Sequence, residues 1–336
     1  MGVGSKPLVS VIVPVRNGAP TLSRCLTALA KSQYSDYERI VVDDASEDDS
    51  ADITLRHGGQ LVSLRERCGP AAARNLGAAR ARGAILFFID ADCEVHPDTL
   101  EKMTAVLRSD PQLAAVFGSY DNQPEHLAWL SQYKNLSHHY VHQTSQRSAA
   151  TFWAGCGAVR RDAFFAVGGF DAARYPRPSI EDIDLGYRLY KAGYHIMLVP
   201  EIQVRHLKRW TLLSLIKTDV FARAIPWMRL MLRRRLFRAD LNLQTGSLAS
   251  TLFVVLFVVG WIPAALGWIP AWALILLGGG YLALNRQYLG FFYRERGFLF
   301  MLFAISWYMF TLLYSVVGAI LGVLAWVFVD HFQIDQ

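Results

Sequence analysis

Two long stretches of the 336-residue sequence contain no aspartate, glutamate, lysine or arginine. They cover residues 248–284 and 298–329. A helix needs about 20 apolar residues to cross a bilayer, and both stretches exceed that length. The missing charge argues against a purely soluble protein. It predicts two to three membrane helices at about 248–264, 269–287 and 300–329 within a membrane region at 246–336, with a turn near Pro263 to Pro270.

Cysteine is also scarce, and its distribution excludes the common cysteine-based sites. The four cysteines, Cys25, Cys68, Cys93 and Cys156, are far apart and show no paired metal-binding spacing. We therefore expect reduced thiols on the cytosolic side of a membrane. Residues 1–6 form no cationic segment leading into an apolar signal sequence. The leading domain is thus expected to stay in the cytoplasm, on an integral protein of the inner or plasma membrane.

Acidic residues are nearly absent from residues 208–238, where nine basic residues face only Asp219. This segment carries a formal charge of +8, whereas the rest of the chain sums to −2. A nucleic-acid site would be expected on a folded domain, so we predict no nucleic acid and choose anionic membrane lipids as the partner. Residues 211–245 are read as amphipathic interfacial helices broken at Pro226. The alternative is an ordinary bundle helix.

The first 210 residues alternate short apolar strands with helices, which predicts an α/β domain around a largely parallel sheet. The predicted strands are 8–15, 39–42, 60–64, 84–89, 113–117 and 196–204. The first predicted helix follows Thr21, which could act as its N-cap. The other predicted helices cover residues 50–56, 70–82, 96–108 and 179–193.

The strongest local signal is the segment 87–95, where a buried strand ends at Asp90, Ala91 and Asp92. Open α/β sheets bind ligands at strand ends. Two carboxylates at that position suit a hard divalent cation whose coordination is completed by phosphate oxygens. The alternative is that both aspartates only cap the following loop.

Other polar residues fall at the ends of neighbouring elements. If this sheet edge binds a nucleotide diphosphate, Asp43 or Asp44 can accept donors of the base or ribose, and Arg74 can meet a phosphate. Asp92 would hold the metal, which stabilises a departing diphosphate. A hydroxyl nucleophile then needs a base.

Asp182 is the candidate for that base, with Glu181 or Asp184 as substitutes. Against this, Ser179 and Asp182 have the spacing of a capping box, so Asp182 could merely cap its helix.

Six segments, taken together and in order, resemble the family 2 glycosyltransferases of GT-A fold. They are 11–17 (VIVPVRN), 41–46 (VVDDAS), 69–75 (GPAAARN), 88–92 (FIDAD), 168–171 (GGFD) and 181–185 (EDIDL). The resemblance extends to about Trp210. It implies a GT-A, Rossmann-like catalytic domain at 1–210, followed by the amphipathic segment and the C-terminal transmembrane helices.

The resemblance also implies an inverting, metal-dependent hexosyltransferase that uses Mg²⁺ or Mn²⁺. In such an enzyme Asp90 lies near the nucleoside, Asp92 and His206 bind the metal, and Asp182 is the base. The other expected donor-binding residues are Pro14, Val15, Asn17, Asp43, Asp44, Arg74, Ala91, Gly155, Glu181, Arg209 and Trp210. The alternative for His206 is a surface histidine near headgroups.

Processive polysaccharide synthases of this family carry Gln-x-x-Arg-Trp, but the stretch here is 206–210 (HLKRW), without the glutamine. This argues against processive synthesis. We therefore expect transfer from a nucleotide sugar, UDP by family resemblance, to a lipid or lipid-linked hydroxyl at the cytoplasmic membrane face. Residues 120–150 are expected to form a lid or an acceptor-side insertion. The alternatives are a polyprenyl-phosphate glycosyltransferase and a non-catalytic, flippase-like scaffold that keeps a nucleotide-binding domain.

Overall fold

The structure is a computed structural model that describes residues 8–235 and 245–330. The chain divides into two compact units, with the boundary between Arg209 and Trp210. The first unit is an α/β domain and the second is helical.

Nine strands of the described chain form one sheet in the first unit. They are β1 (Val9–Val15), β2 (Tyr37–Asp43), β3 (Gln60–Ser63), β4 (Ile85–Ile89), β5 (Cys93–Val95), β6 (Leu113–Tyr120), β7 (Ser148–Ala149), β8 (Cys156–Arg160) and β9 (His195–His206). Their order is β3-β2-β1-β4-β8-β6-β9-β5, with β7 paired to β9. The helices are α1 (Ala19–Ala30), α2 (Ser50–Arg56), α3 (Pro70–Arg80), α4 (Thr99–Ser109), α5 (Trp129–Thr144), α6 (Arg161–Ala166) and α7 (Glu181–Lys191).

The sheet is mixed, whereas a largely parallel one was predicted. Strand β8 runs antiparallel between β4 and β6, and β5 and β7 run antiparallel to β9. Strands β1, β2, β3, β4, β6 and β9 nevertheless run in one direction, because β8 pairs antiparallel with both β4 and β6. Their carboxyl ends therefore still meet at one edge of the sheet.

The core of the unit lies around β1 and β4, whose side chains are buried on both faces. All five residues of β4 are buried, as expected for a central strand between two helical layers. Helix α1 covers one face with Leu22, Leu26 and Leu29, which recur at helical spacing. It begins at Ala19 after Gly18, so the predicted N-cap role of Thr21 was wrong: the Thr21 hydroxyl donates to the Gly18 carbonyl from within the first turn.

Residues 120–150 contain the 16-residue helix α5, which the weak sequence periodicity did not predict. One side of α5 packs on β6 and β9. Its His139 and His142 imidazoles hydrogen-bond through Nδ1 to the carbonyls of Tyr120 and Gly118, at 2.7 and 2.9 Å. The segment is therefore a packed layer of the domain.

The second unit begins with a continuous helical segment formed by α8 (Leu212–Lys217), a π-helical turn (Thr218–Ala224) and α9 (Ile225–Arg234). Thr211 caps it through a capping box with Ser214. The predicted break at Pro226 was wrong. The π-helical turn directly before α9 is wider than an α-helical turn. It accommodates the ring of Pro226, a residue whose backbone nitrogen carries no hydrogen to donate. Residues 236–244, the end of the predicted interfacial segment, lie outside the described residues.

The remaining helices are α10 (Thr245–Ala265), α11 (Ala271–Leu284), α12 (Arg286–Arg296) and α13 (Phe298–Ala325), which a π-helical turn (Trp326–Asp330) extends. Within the described residues, two helices are long and apolar enough to cross a membrane, Gly246–Ala265 and Phe298–Phe328. The helix predicted at 269–287 is shorter in the structure, where α11 covers Ala271–Leu284 and α12 begins at Arg286. Asn285 separates α11 from α12, and its side-chain amide donates to the Ser250 hydroxyl of α10 and to the Tyr281 carbonyl.

Candidate active site

Pairing of β5 with β9 brings Asp92 and His206 together. The antiparallel register places Cys93 opposite His206, and the Leu207 amide donates to the Asp92 carbonyl at 2.8 Å. Asp92 Oδ2 consequently lies 3.7 Å from His206 Nε2. Burial alone would raise the pKa of Asp92, but His206 and Lys208 outweigh it and lower that pKa to about 2. Asp92 is therefore charged at neutral pH.

Asp92 and His206 fit a divalent cation but cannot complete its coordination alone. Bonds to Mg²⁺ measure about 2.0–2.1 Å, so two donors of one cation lie at most about 4.2 Å apart. The 3.7 Å between Asp92 Oδ2 and His206 Nε2 is within that limit. Residues 8–235 and 245–330 contain no cluster of three or more His, Cys, Asp or Glu side chains that could hold a metal. The missing ligands would have to come from a bound substrate or from water.

Arg74 connects the end of β4 with the start of α7. Its guanidinium donates to Asp90 Oδ1 at 2.7 Å and to Glu181 Oε1 at 2.9 Å. Burial opposes the charge of Arg74, but the carboxylates of Asp90, Glu181 and Asp182 outweigh this effect and raise its pKa. Glu181 is held at its other oxygen by the Ser179 amide at 2.9 Å. Arg74 thus has two carboxylate partners and fixes their spacing.

Asp182 lies in the first turn of α7 and is partly exposed. Its two oxygens accept the amides of Ala154 at 3.1 Å and of Ile183 at 2.8 Å. Burial and the neighbouring charge of Glu181 raise the pKa of Asp182 to about 6. The capping-box alternative was wrong, because the N-cap is Ile180 and makes no side-chain capping bond. A partly exposed carboxyl with this pKa suits proton transfer.

Asp43 and Asp44 are both buried at the end of β2, but they hold different partners. Asp44 accepts the amides of Cys68 at 2.6 Å and Gly69 at 2.9 Å, so it anchors the loop before α3. The Asp43 carboxylate accepts the Ser46 amide at 3.1 Å, a bond within its own loop. Of the two carboxylates, Asp43 is the better placed to take a ligand.

The loops after β1 and β2 are bound to each other. Asn17 has a left-handed backbone with φ 48°, as Ala45 does with φ 54°. The Asn17 backbone amide donates to the Ser46 hydroxyl at 2.9 Å. The Asn17 side-chain Oδ1 accepts the Glu47 backbone amide at 2.8 Å. Two strained residues in facing loops are a common feature of ligand sites. Pro14 and Val15 lie on β1 beside these loops, and Pro14 is partly exposed.

The structure does not bring every predicted residue to the same place. Ala91 lies in the turn between Asp90 and Asp92 and is partly exposed. Gly155 lies beside Asp90, whose amide donates to the Gly155 carbonyl at 3.4 Å, and a Cβ at Gly155 would lie 2.6 Å from the Trp153 ring. Arg209 is exposed at the end of the first unit, and the buried Trp210 begins the second.

An aromatic cluster beside the site was missed from the sequence. The Tyr120 ring stacks on His206, with centroids 4.1 Å apart and planes 11° apart. Tyr120 also contacts His138 at 4.4 Å and the edge of Trp153 at 4.8 Å. Because Trp153 precedes Ala154, which binds Asp182, these rings connect the metal side of the site with Asp182. The i, i+4 spacing of His138 and His142 was the available signal for a helix face turned to this cluster.

Residues 10–168 match the family model described as Glycosyl transferase family 2. A domain similar to the family 2 glycosyltransferases therefore covers residues 10–168, slightly less than half of the chain, as the resemblance predicted. Its α/β unit has the GT-A fold.

Two relatives and one solved structure illustrate the similarity. Glycosyltransferase AglE of Haloferax volcanii is 40% identical over 103 residues, 29% of this chain and 34% of that protein. A pre-mycofactocin glycosyltransferase of Mycobacterium tuberculosis is 31% identical over 224 residues, 63% of this chain and 45% of that protein. These matches thus span less than half of either relative. The mannosyltransferase PcManGT from Pyrobaculum calidifontis, solved with GDP-Man and Mn²⁺, superposes with a TM-score of 0.65 at 20% identity and covers 95% of this chain and 88% of its own.

Proposed function

We propose that the protein is an inverting, metal-dependent glycosyltransferase that transfers a sugar from a nucleotide sugar to a hydroxyl group of a lipid or lipid-linked acceptor. The observation that carries this proposal is Asp182, a partly exposed carboxylate with its pKa raised to about 6. Arg74 connects it, through Glu181 and Asp90, to the strand end that carries Asp92. A base and a candidate metal site on one rigid network are what direct displacement of a nucleotide requires.

In this mechanism Asp92 and His206 would hold Mg²⁺ or Mn²⁺, and that ion would supply positive charge to stabilise a departing diphosphate. Asp43 accepts hydrogen bonds from the base or ribose of the donor, and Asp90 lies on the nucleoside side, held by Arg74. Asp182 accepts the proton of the attacking hydroxyl, while the Ala154 amide fixes the direction of its carboxylate. Attack opposite the departing nucleotide inverts the anomeric configuration.

The test of the base is Asp182→Asn in the full chain. We expect turnover to fall by about 10²–10⁴, the usual contribution of a general base. Donor binding should persist, since the substitution leaves Asp92 and Asp43 intact. Asp110→Asn is the matched control, because Asp110 is partly exposed, accepts the Gln112 amide at 2.9 Å and lies outside the six family segments. Undiminished turnover with a folded protein would remove Asp182 from the mechanism.

The same variant separates two acceptor classes. A polyprenyl phosphate is already an anion and needs no base, and the basic residues of 208–238 favour it by charge. The raised pKa of Asp182 favours a hydroxyl acceptor, which we choose. Product mass measurement after incubation of the protein, Mn²⁺ and each of a panel of nucleotide sugars with a total lipid extract identifies both substrates. UDP-sugars are the first donors to test, and a soluble glycan accepted in place of lipid contradicts the acceptor proposal.

We further propose that the protein is membrane-integral with its catalytic domain on the cytoplasmic side. Support comes from the spans Gly246–Ala265 and Phe298–Phe328 and from the arginines at 286–296 between them. Helix α11 is shorter than a full membrane span. We therefore propose that the hairpin of α10 and α11 enters the membrane from the cytoplasmic side and returns to that side, which keeps residues 286–296 in the cytoplasm. Reporter fusions after Leu284 and at Gln336 measure this directly. We expect Leu284 inside and Gln336 outside, and both ends outside would refute the orientation.

A further inference from the structure

The first unit presents an exposed apolar tip that the catalytic site does not use. It consists of Leu127, Ala128 and Trp129, the residues directly before and at the start of α5. The Leu127 side chain is 82% exposed and Trp129 is 48% exposed. A leucine and a tryptophan side by side in water are costly, and such exposed apolar groups mark interaction sites.

Polar bonds fasten this tip from beneath. Gln132 donates its side-chain amide to the Leu127 carbonyl at 2.7 Å and its backbone amide to the Ala128 carbonyl at 3.0 Å. Asn135 of the same helix donates to the Asp121 carbonyl at 2.9 Å. The tip is therefore a built structure that directs apolar side chains outward.

The tip is also connected to the candidate metal site. The Glu125 amide donates to the His206 carbonyl at 3.3 Å, and the Glu125 carboxylate pairs with Arg24 and Arg205, each at 2.9 Å. Exposed Lys208 and Arg209 follow His206 on the same stretch of chain. The bond from Glu125 to His206 thus connects the segment that carries the exposed apolar side chains with the segment that carries the exposed cations. This combination matches the two layers of an anionic bilayer surface, hydrocarbon below and phosphate above.

We propose that the tip formed by Leu127, Ala128 and Trp129 inserts into the interface of the membrane and sets the metal site at the height of the lipid headgroups. The occupant is the bilayer itself, because the tip protrudes whereas a single lipid tail would need a groove. Tryptophan suits this depth, since its ring is apolar and its N–H remains near water. The inference rests on the proposed function in that a lipid acceptor must be reached at the membrane surface.

The test places an environment-sensitive nitrobenzoxadiazole fluorophore at Leu127→Cys in the full chain. Cys68 is replaced by Ser, because Cys25, Cys93 and Cys156 are buried and only Cys68 is partly accessible. The protein is reconstituted in nanodiscs of phosphatidylcholine and phosphatidylglycerol. Leu55→Cys is the matched control: Leu55 is 60% exposed on α2, which packs at the β3 edge of the sheet, opposite β9.

The label at 127 should lose emission when nitroxide-labelled phospholipids are included and resist quenching by aqueous iodide. The label at 55 should show the reverse. Equal iodide quenching at both positions overturns the proposal, as does protection from both quenchers at 127, which would indicate a protein partner. The measurement needs no turnover. Lipid contact at 127 in a protein that glycosylates no lipid would leave the tip assigned and the acceptor proposal wrong.

Discussion

At the scale of single residues, the charge on Asp182 depends on two neighbours with opposite effects. Glu181 raises the pKa of Asp182, whereas Arg74 lowers it. Arg74 is itself shared between Glu181 and Asp90. The strength of the base therefore depends on side chains that need not touch the acceptor.

This arrangement predicts a shift in the pH profile of turnover. The base works when deprotonated, so activity should fall as pH falls below about 6. Because Glu181→Gln removes a neighbouring negative charge, the pKa of Asp182 should fall and the acid limb of kcat/KM should move to lower pH. Asp110→Asn should leave that limb in place. An unchanged limb in Glu181→Gln would assign it to another group.

The raised pKa of Asp182 affects stability and activity in opposite directions: activity falls at low pH, whereas the stability of the fold rises. A carboxyl whose pKa is higher in the folded than in the unfolded state stabilises the fold when protonated. This stabilisation is complete below the unfolded pKa of about 3.9 and is lost as pH rises through about 6. Asp182 is thus kept charged at neutral pH at a cost in stability, as expected for a functional group rather than a cap.

Tyr120 is predicted to act as a positioning residue for His206. Replacing it by Leu removes the ring stacked at 4.1 Å on the imidazole and leaves His206 free to rotate. We expect the affinity for Mn²⁺, titrated by electron paramagnetic resonance with a nucleoside diphosphate present, to fall about 10- to 100-fold, the usual loss when a supporting group is removed. Tyr120→Phe keeps the ring and should bind normally. Equal binding by the Leu variant would contradict the role.

At the scale of elements, the position of α7 is set by a glycine. Gly186 lies one turn after Asp182, and an added Cβ would lie 2.3 Å from the Phe152 amide and 2.5 Å from the Thr151 carbonyl carbon. The same backbone segment continues to Ala154, which binds Asp182. Close approach of α7 to this segment therefore determines where the base lies.

Gly186→Ala should consequently move α7 outward. We expect the free energy of unfolding to fall by about 1–3 kcal/mol, as in other overpacked sites, and turnover to fall because the bond from Ala154 to Asp182 lengthens. Gly290→Ala in α12 is the control, since its Cβ would meet only the end of Arg294 at 3.7 Å. Denaturant titration measures the free energy of unfolding and kcat measures turnover. If Gly186→Ala changes neither quantity, the backbone at 151–152 shifts to accommodate the added Cβ and the prediction is wrong.

Local patterns predicted elements best where local physics decides them. The ends of α2 were predicted correctly, and so was Pro70 as the start of α3, where its fixed φ suits a helix start. The direction of β8 could not be predicted, because its partners β4 and β6 are distant in sequence. Helix α12 was missed because the bond from Asn285 to Ser250, which ends α11, is a tertiary contact.

The same division holds for the site. Asp92, Asp182 and His206 were predicted from their motifs, since each lies at an element end. The contact between Tyr120 and His206 was not, because it depends on the pairing of β6 with β9, where Tyr120 aligns with Val204. The different partners of Asp43 and Asp44 also followed only from the loop that each carboxylate holds.

At the scale of the whole molecule, the proposed chemistry and the candidate membrane helices fall in different compact units. Asp43, Asp92, Asp182 and His206 belong to the first, whereas both candidate spans belong to the second. In the second unit, the helical segment at 212–234 packs on α13, where Tyr314 donates to Asp219 Oδ2 at 2.8 Å. The single acidic residue of the basic segment, Asp219, thereby holds that segment to a candidate spanning helix.

Glycines make this packing close. A Cβ at Gly318 would lie 2.6 Å from the Ala224 Cβ, and one at Gly322 would lie 2.7 Å from the Met228 Cβ. Gly322→Leu should therefore separate α13 from α9 at a cost of about 1–3 kcal/mol. Gly279→Ala in α11, where a Cβ meets nothing within 4 Å, is the control.

Two compact units need not unfold in one transition, so we predict that thermal unfolding in detergent resolves two. A nucleoside diphosphate with Mn²⁺ at about 100 times its Kd should stabilise the first unit by about 2.7 kcal/mol and raise only its transition. Gly322→Leu should lower only the transition temperature of the second unit. A single transition that moves in both experiments would contradict this prediction and show that the two units unfold together.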